Sequence, residues 1–200
     1  MSDNLMKYFG EYLPDKSLSF VDKKILELVY EYFEKVPDYF YEVPASSTGK
    51  YHPSFDQGNG GLIRHTQMTC EIMREFFRMD EYKHLCYFDL MIACILHDTF
   101  KNGYQDNKCT VSAHASIAAE EFYNTYTHHH YAPEDLEETL CNVSYNYSSE
   151  LKRRINNICN MIRSHMGCWG SVKPQTESEK LVHLADYIAS RKCWDKFNGV

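Results

Sequence analysis

Along most of the chain, apolar residues return every three or four positions. "FVDKKILELVYEYFEKV" (20–36) sets Val21, Ile25, Leu28 and Phe33 near one face with charges opposite, the pattern of a helix lying on a core. "LIRHTQMTCEIMREFF" (62–77) predicts a second such helix with His65, Thr69, Ile72 and Phe76 along its stripe. "YFDLMIACILHD" (87–98) is apolar enough on all sides for a central helix, and "SAHASIAAEEFYNTY" (112–126) is Ala-rich and helical. "SELKRRINNICNMIRSHM" carries Leu151, Ile155, Ile158 and Ile162 at helical spacing, and "ESEKLVHLADYIASRKCW" carries Leu181, Leu184, Ala185 and Ile188.

Two segments break the rhythm. "PDYFYEVPASSTGKYHPSFDQGNGG" (37–61) is too rich in Pro, Gly and Ser to extend a helix and predicts a long loop, of a length that is often functional. Over 128–148 the pattern is weak, and only "PEDLEETL", opened by Pro133, predicts a short helix. No two-residue alternation and no internal repeat is present, so the expected class is all-α: a helical domain over 43–200, with residues 1–42 as an N-terminal helical extension packed on it.

The polar exceptions within these helices carry the chemistry. His65 comes early in its helix, His97 and Asp98 end theirs, His114 begins the next, His165 ends another, and Asp186 lies midway along the last. A buried charge without a partner costs several kcal/mol, and a metal ion is one of the few partners that satisfies so many groups together. Imidazole nitrogen with carboxylate oxygen suits Fe, Mn, Ni, Co or Zn better than Ca. His97 and Asp98 cannot share one face of a regular helix, but at a helix end both can turn to one site.

Composition narrows the setting. At 44% hydrophobic, 200 residues supply one full core, so a second domain is not needed. A net charge of −7 argues against a general nucleic-acid coat and leaves room for a small anionic substrate. The N-terminal "MSDNLMKYFGEYLPDK" lacks a basic segment followed by an apolar one, and no stretch is long enough for a membrane span; a cytoplasmic protein is expected. Eight cysteines without a CxxC pair predict reduced thiols, most of them packed as small hydrophobes.

Taken in order, "GGLIRHT" (60–66), "LHDTFK" (96–101), "AHASIAAE" (113–120), "MIRSHMG" (161–167) and "HLADYIAS" (183–190) resemble the motifs of the HD-domain metal-dependent phosphohydrolases. "VPASSTGKYHPSF" is similar to the segment before the first histidine in the exoribonuclease-like and relaxase-associated branches. The resemblance spans roughly 43–195 and implies a single HD-domain helical bundle with its metal site between helices. It implies one or two divalent transition-metal ions: a first held by His65, His97, Asp98 and Asp186, and a second, bridged by Asp98, held by His114 and His165. Met166 stands where two-metal branches often have a second histidine, and "HDTFK" replaces the common "HDIGK".

The activity implied is hydrolysis of a phosphoester or phosphodiester bond in a nucleotide or a cyclic or short oligonucleotide by metal-activated water. Asp98 and Lys101 are the expected catalytic residues, and Lys50, His52, Arg64 and Arg191 the expected substrate contacts. Tyr51 and Tyr104 are candidates to stack on a base. His84 and His183 are expected to be structural, and His128, His129 and His130 to be exposed after a helix. Alternatives are a 3′→5′ exonuclease on short single strands, a di-iron oxygenase, and a non-catalytic metal-binding regulatory module. An oligomer is allowed; a membrane or a long nucleic acid is not an expected partner.

Overall fold

In the computed structural model, residues 3–13, 18–130 and 143–196 are described, and among them are seven α-helices and no strand. These are α1 (Asp3–Phe9), α2 (Phe20–Phe33), α3 (Gly61–Phe76), α4 (Tyr87–Leu96), α5 (His114–His130), α6 (Val143–Ser164) and α7 (Glu177–Ala189). The apolar run in the middle of the sequence becomes the innermost helix. Every residue of α4 from Phe88 to Leu96 is buried, and α3, α6 and α7 pack against it. α5 lies on α6 and α2. The N-terminal segment shares this core: Leu5, Phe9, Val21, Ile25 and Phe33 belong to the same buried cluster as Leu90 and Ile92.

The periodic stripes account for most of this burial. Leu151, Ile155, Ile158 and Ile162 are all buried, as are Val21, Ile25, Leu28 and Phe33. On α3 the buried face is rotated from the expected one: Cys70 and Met73 are buried, while Ile72 and Phe76 are half-buried. The rotation is possible because the inward-facing threonines satisfy themselves. Thr66 Oγ1 donates to the Leu62 carbonyl at 2.9 Å and Thr69 Oγ1 to that of His65 at 3.0 Å. On α7 Leu184 turns outward, and Val182 and Ala189 are buried instead.

One buried ion-pair cluster fastens the start of α4. Arg154 on α6 donates through Nε to both carboxylate oxygens of Asp89 at 3.0 and 3.2 Å, and through Nη2 to Oδ1 at 2.6 Å. Its Nη2 also lies 2.7 Å from Asp22 Oδ1 on α2, and Asp22 closes a capping box with Ser19.

The long loop is short of regular structure but firmly tied. It holds two 3-10 turns, Asp38–Tyr41 and Ser54–Asp56. Gly60 N–H donates to the Glu42 carbonyl at 2.8 Å, Leu62 to Val43 at 2.9 Å and Ala45 to Asp56 at 3.0 Å. Gly61 is required there: a Cβ would stand 1.9 Å from the Asp56 carbonyl oxygen, so only glycine lets the loop backbone come this near α3.

The expected helix at "PEDLEETL" lies outside the described residues. α5 continues through His130, so the three consecutive histidines form its last turn rather than follow it, and His128 is exposed. Cys70, Cys94 and Cys159 are buried free thiols as expected, but Cys86, Cys109, Cys168 and Cys193 are exposed. Among the described residues, no helix is long and apolar enough to cross a membrane.

Candidate metal centre

Just past α4 the chain stops being helical and turns two adjacent side chains to one point. Thr99 Oγ1 donates to the Leu96 carbonyl at 2.8 Å, and Lys101 N–H to that of Asp98 at 3.0 Å, closing the turn that carries His97 and Asp98. The N-terminal segment braces this turn from behind. The Tyr32 and Thr99 hydroxyls are 2.5 Å apart, Tyr39 OH donates to the Gly103 carbonyl at 2.5 Å, and Asn102 N–H donates to Tyr39 OH at 3.1 Å.

Around Asp98 the donors fall into two sets. Asp98 Oδ2 lies 3.8 Å from His65 Nε2 and 3.6 Å from His97 Nε2. Asp186 Oδ1 completes this side, 3.0 Å from His65 Nε2 and 3.7 Å from His97 Nε2. Asp98 Oδ1 faces the other way, 3.1 Å from His114 Nε2 and 3.6 Å from His165 Nε2. The structure thus brings together all six residues that the motifs singled out as ligands. His65, His97 and Asp98, and separately Asp98, His114 and His165, could each hold a metal ion.

The hydrogen bonds on the far side of each ring say what the near side offers. His97 Nδ1 meets the Cys94 carbonyl at 2.7 Å, His114 Nδ1 that of Val111 at 2.8 Å, and His165 Nδ1 that of Ile162 at 2.7 Å. A carbonyl only accepts, so each Nδ1 carries the proton and, in the neutral ring, each Nε2 carries a lone pair. His114 Nε2 and His165 Nε2 nevertheless sit 3.3 Å apart. His97 Nε2 and Asp98 Oδ1 are buried without a hydrogen bond. Lone pairs aimed at carboxylate oxygens in a dry interior lack only a cation, so the residues fit a metal ion.

The electrostatics of these groups reflect the same excess of acceptors. Burial pushes His97 down to about 4, the effect of a ring that is costly to charge. Burial also opposes charge on His65, yet the carboxylates of Asp186 and Asp56 outweigh it and raise the ring to about 9. Burial works against ionised Asp98 too, but the Lys101 ammonium holds the carboxyl well below the usual range. Asp186 is likewise held down, its burial outweighed by the hydrogen bond to His65.

The other expected site residues are spread more widely. Lys101 is buried, with Nζ 2.5 Å from Asp98 Oδ2, inside the cluster rather than in solvent. His52 packs edge-on against His65, ring centroids 4.8 Å apart, and lies behind the ligand set. Arg64 faces the loop, donating to the carbonyls of Phe55, Gln57 and Asn59 at 2.5, 2.9 and 2.9 Å. Lys50 is exposed, its ammonium 5.0 Å from the exposed Tyr51 ring. Arg191 packs on Tyr187, 4.3 Å from the ring centroid. Tyr104 is exposed and donates to Glu121. His183 is structural as expected, its Nδ1 donating to the His165 carbonyl at 2.6 Å; His84 pairs with Glu177 at the surface.

One residue escaped sequence reasoning. Asp56 is fully buried, with Oδ2 3.5 Å from His65 Nδ1 and 3.6 Å from His52 Nδ1. Neither Asp56 oxygen makes a hydrogen bond, and His52, Asp56 and His65 form a third group that could hold a metal ion. When His65 ligates a metal on its other side, a carboxylate here orients the ring and strengthens it as a donor. Its signal was an acid in "SFDQGNGG", four residues before the paired glycines Gly60 and Gly61. A cleft of about 470 Å³ opens elsewhere, between the starts of α4 and α7 and the flank of α6; it is lined by Asp89, Arg153, Arg154 and Asn157, and none of the cluster's side chains reach it.

Comparison with known proteins agrees with this geometry. The model of the HD domain family matches residues 62–191, which takes in all six converging residues and leaves out Asp56 and the bracing tyrosines. No curated protein and no solved structure matches the chain. A family match over well more than half of the sequence, with its histidines and aspartates gathered in one buried cluster, places the chain in the HD domain family.

Proposed function

We propose that the protein is a metal-dependent phosphohydrolase that cleaves a phosphoester or phosphodiester bond in a nucleotide or a cyclic or short oligonucleotide. The observation that carries this reading is the meeting of four imidazole Nε2 atoms with Asp98 and Asp186 in a buried space, where His97 Nε2 and Asp98 Oδ1 have no hydrogen-bond partner. His65, His97, Asp186 and one oxygen of Asp98 would hold a first ion; His114, His165 and the other oxygen of Asp98 would hold a second. Divalent transition metals held there would supply Lewis acidity toward water and the phosphoryl oxygens.

The chain's own groups do the rest. Asp98 accepts a hydrogen bond from the attacking water and orients it. Lys101, already against Asp98, neutralises charge that gathers on the phosphate oxygens. The water oxygen forms the new P–O bond as the ester P–O bond breaks; one of the water's protons ends on the leaving oxygen, which departs as the alcohol, and the other stays with the phosphate. Substrate reaches the cluster from the Asp186 side, since the Asp186 side chain is 16% exposed whereas Asp98 is 2% exposed.

The test is product identification on a panel of nucleotides, cyclic dinucleotides and short oligomers with metal-loaded protein. Hydrolysis that disappears in Asp98→Ala, with a shallow dependence of affinity on salt, is the expected result. A steep salt slope would move the substrate to longer strands. Stoichiometric metal with no turnover on any phosphoester would overturn the reading.

A further inference from the structure

The short connection between α6 and α7 holds an indole out in solvent beside the cluster. Trp169 is 65% exposed, and its ring lies parallel to Tyr187, with centroids 5.8 Å apart and planes 10° apart. Left so open, the indole gains little from burial, yet the segment that carries it is anchored at several points. Lys173 Nζ donates to the carbonyls of Gly167, Cys168 and Gly170 at 3.2, 2.8 and 2.7 Å. His183 Nδ1 holds the His165 carbonyl. Gly167 takes φ +56°, and a Cβ there would lie 2.2 Å from the His183 ring. A mere connector needs none of these ties, whereas a ring meant to meet a ligand gains by being fixed beforehand.

The ring's neighbours adjoin residues of the cluster along the chain. His165, four residues before Trp169, aims Nε2 at Asp98. Asp186, next to Tyr187, is the more exposed carboxylate of the cluster. His183 and Tyr187, one helical turn apart on α7, both face the indole, at 6.4 and 5.8 Å between centroids. Arg191 covers Tyr187, donates from Nη1 to its hydroxyl at 3.1 Å, and keeps a buried Nε with no acceptor.

We propose that Trp169, backed by Tyr187 and flanked by Arg191, is the platform on which the base of a nucleotide stacks while its phosphate lies at the His/Asp cluster. Trp169 is then the residue that distinguishes base-bearing phosphoesters from plain sugar phosphates. Every nucleobase has a π-face, so the platform selects for a base more than for its identity, with the larger purines held best. The position of the phosphate rests on the phosphohydrolase reading; the stacking itself does not.

The experiment separates the two. Metal-stripped protein is titrated with 5′-AMP, 5′-GMP, 5′-CMP and 5′-UMP, and with ribose 5-phosphate as the control without a base, following tryptophan fluorescence and calorimetric affinity. The nucleotides quench the fluorescence and ribose 5-phosphate does not. Trp169→Ala weakens nucleotide affinity by about 10- to 100-fold, Trp169→Phe recovers most of it, and the metal content of the three proteins before stripping is the same. Metal-loaded protein gives the second readout: the ratio of KM for ribose 5-phosphate to KM for the nucleotide falls toward one in Trp169→Ala. Quenching that depends on Trp169 without hydrolysis of any phosphoester would uphold the platform and sink the phosphohydrolase reading. Hydrolysis of nucleotides with affinity and KM unchanged in Trp169→Ala would do the reverse.

Discussion

Asp89 and Asp98 stand at opposite ends of α4, and both carboxylates are buried, but they meet different surroundings. Asp89 receives three hydrogen bonds from the guanidinium of Arg154, which also reaches Asp22. Asp98 has the Lys101 ammonium on one oxygen, then faces four imidazole Nε2 atoms with a second carboxylate, Asp186, close by. At the first end the donors of one cation match the acceptors around it, and the cluster is complete within the chain. At the second the acceptors outnumber the donors, so that cluster is completed from outside. Burial of charge alone therefore does not mark a functional site; an unmatched sum of donors and acceptors does.

Removing the guanidinium tests the self-contained end. Arg154→Met leaves Asp89 buried and unpaired, and is expected to cost about 3–5 kcal/mol in urea unfolding of the metal-free protein while leaving metal binding stoichiometric. Loss of metal without loss of stability would reverse the roles assigned to the two ends. At the other end, Lys101→Ala is expected to keep its metal and lower kcat by about 100-fold, the range seen when one donor to developing charge is removed. Wild-type kcat would reduce Lys101 to a counter-ion for Asp98.

The helices and the Asp98 cluster were legible in the sequence, the Asp89–Arg154 cluster was not, and the gaps have physical reasons. Periodicity located the helices because burial of Leu151, Ile155, Ile158 and Ile162 is a local choice repeated each turn. On α3 it placed His65 and Thr69 inward correctly but missed Thr66, Cys70 and Met73, and Thr66 goes inward at low cost by donating to its own helix. The six converging residues could be found because each lies in a helical segment and together they follow the order of the HD motifs. Asp56 could not, since it lies in a loop whose path is set by contacts far along the chain and by the absence of a side chain at Gly61. The bracing by Tyr32 and Tyr39 was hidden for a similar reason: a buried tyrosine in an aromatic-rich helix or turn looks like core until its hydroxyl partner is seen.

Asp56 itself offers a finer probe. Asp56→Asn is expected to weaken metal affinity by about 10- to 100-fold without changing the stoichiometry, because His65 loses the carboxylate behind it. Unchanged affinity in a competition titration would make Asp56 a residue of loop packing only. The smallest effect belongs to the Arg154 end. Burial works against ionised Asp22, but hydrogen bonds from Ser19 and Arg154 prevail and hold its carboxyl below the usual range. A lowered folded value means the stabilisation is complete above the unfolded value of about 3.9 and is lost as pH falls through the folded one. The stability gap between wild type and Asp22→Asn is thus expected to hold steady above about pH 5 and to narrow below pH 4. A gap that stays constant to pH 3 would remove Asp22 from the Arg154 cluster's energetics.

The most direct measurement is elemental analysis of the protein purified without added metal, beside its Asp98→Ala and Arg154→Met variants. One or two equivalents of a divalent transition metal are expected in the wild type and in Arg154→Met, and none in Asp98→Ala. A wild type that neither carries nor takes up such a metal, or an Asp98→Ala variant with the full complement, would contradict the assignment of this cluster as a metal centre.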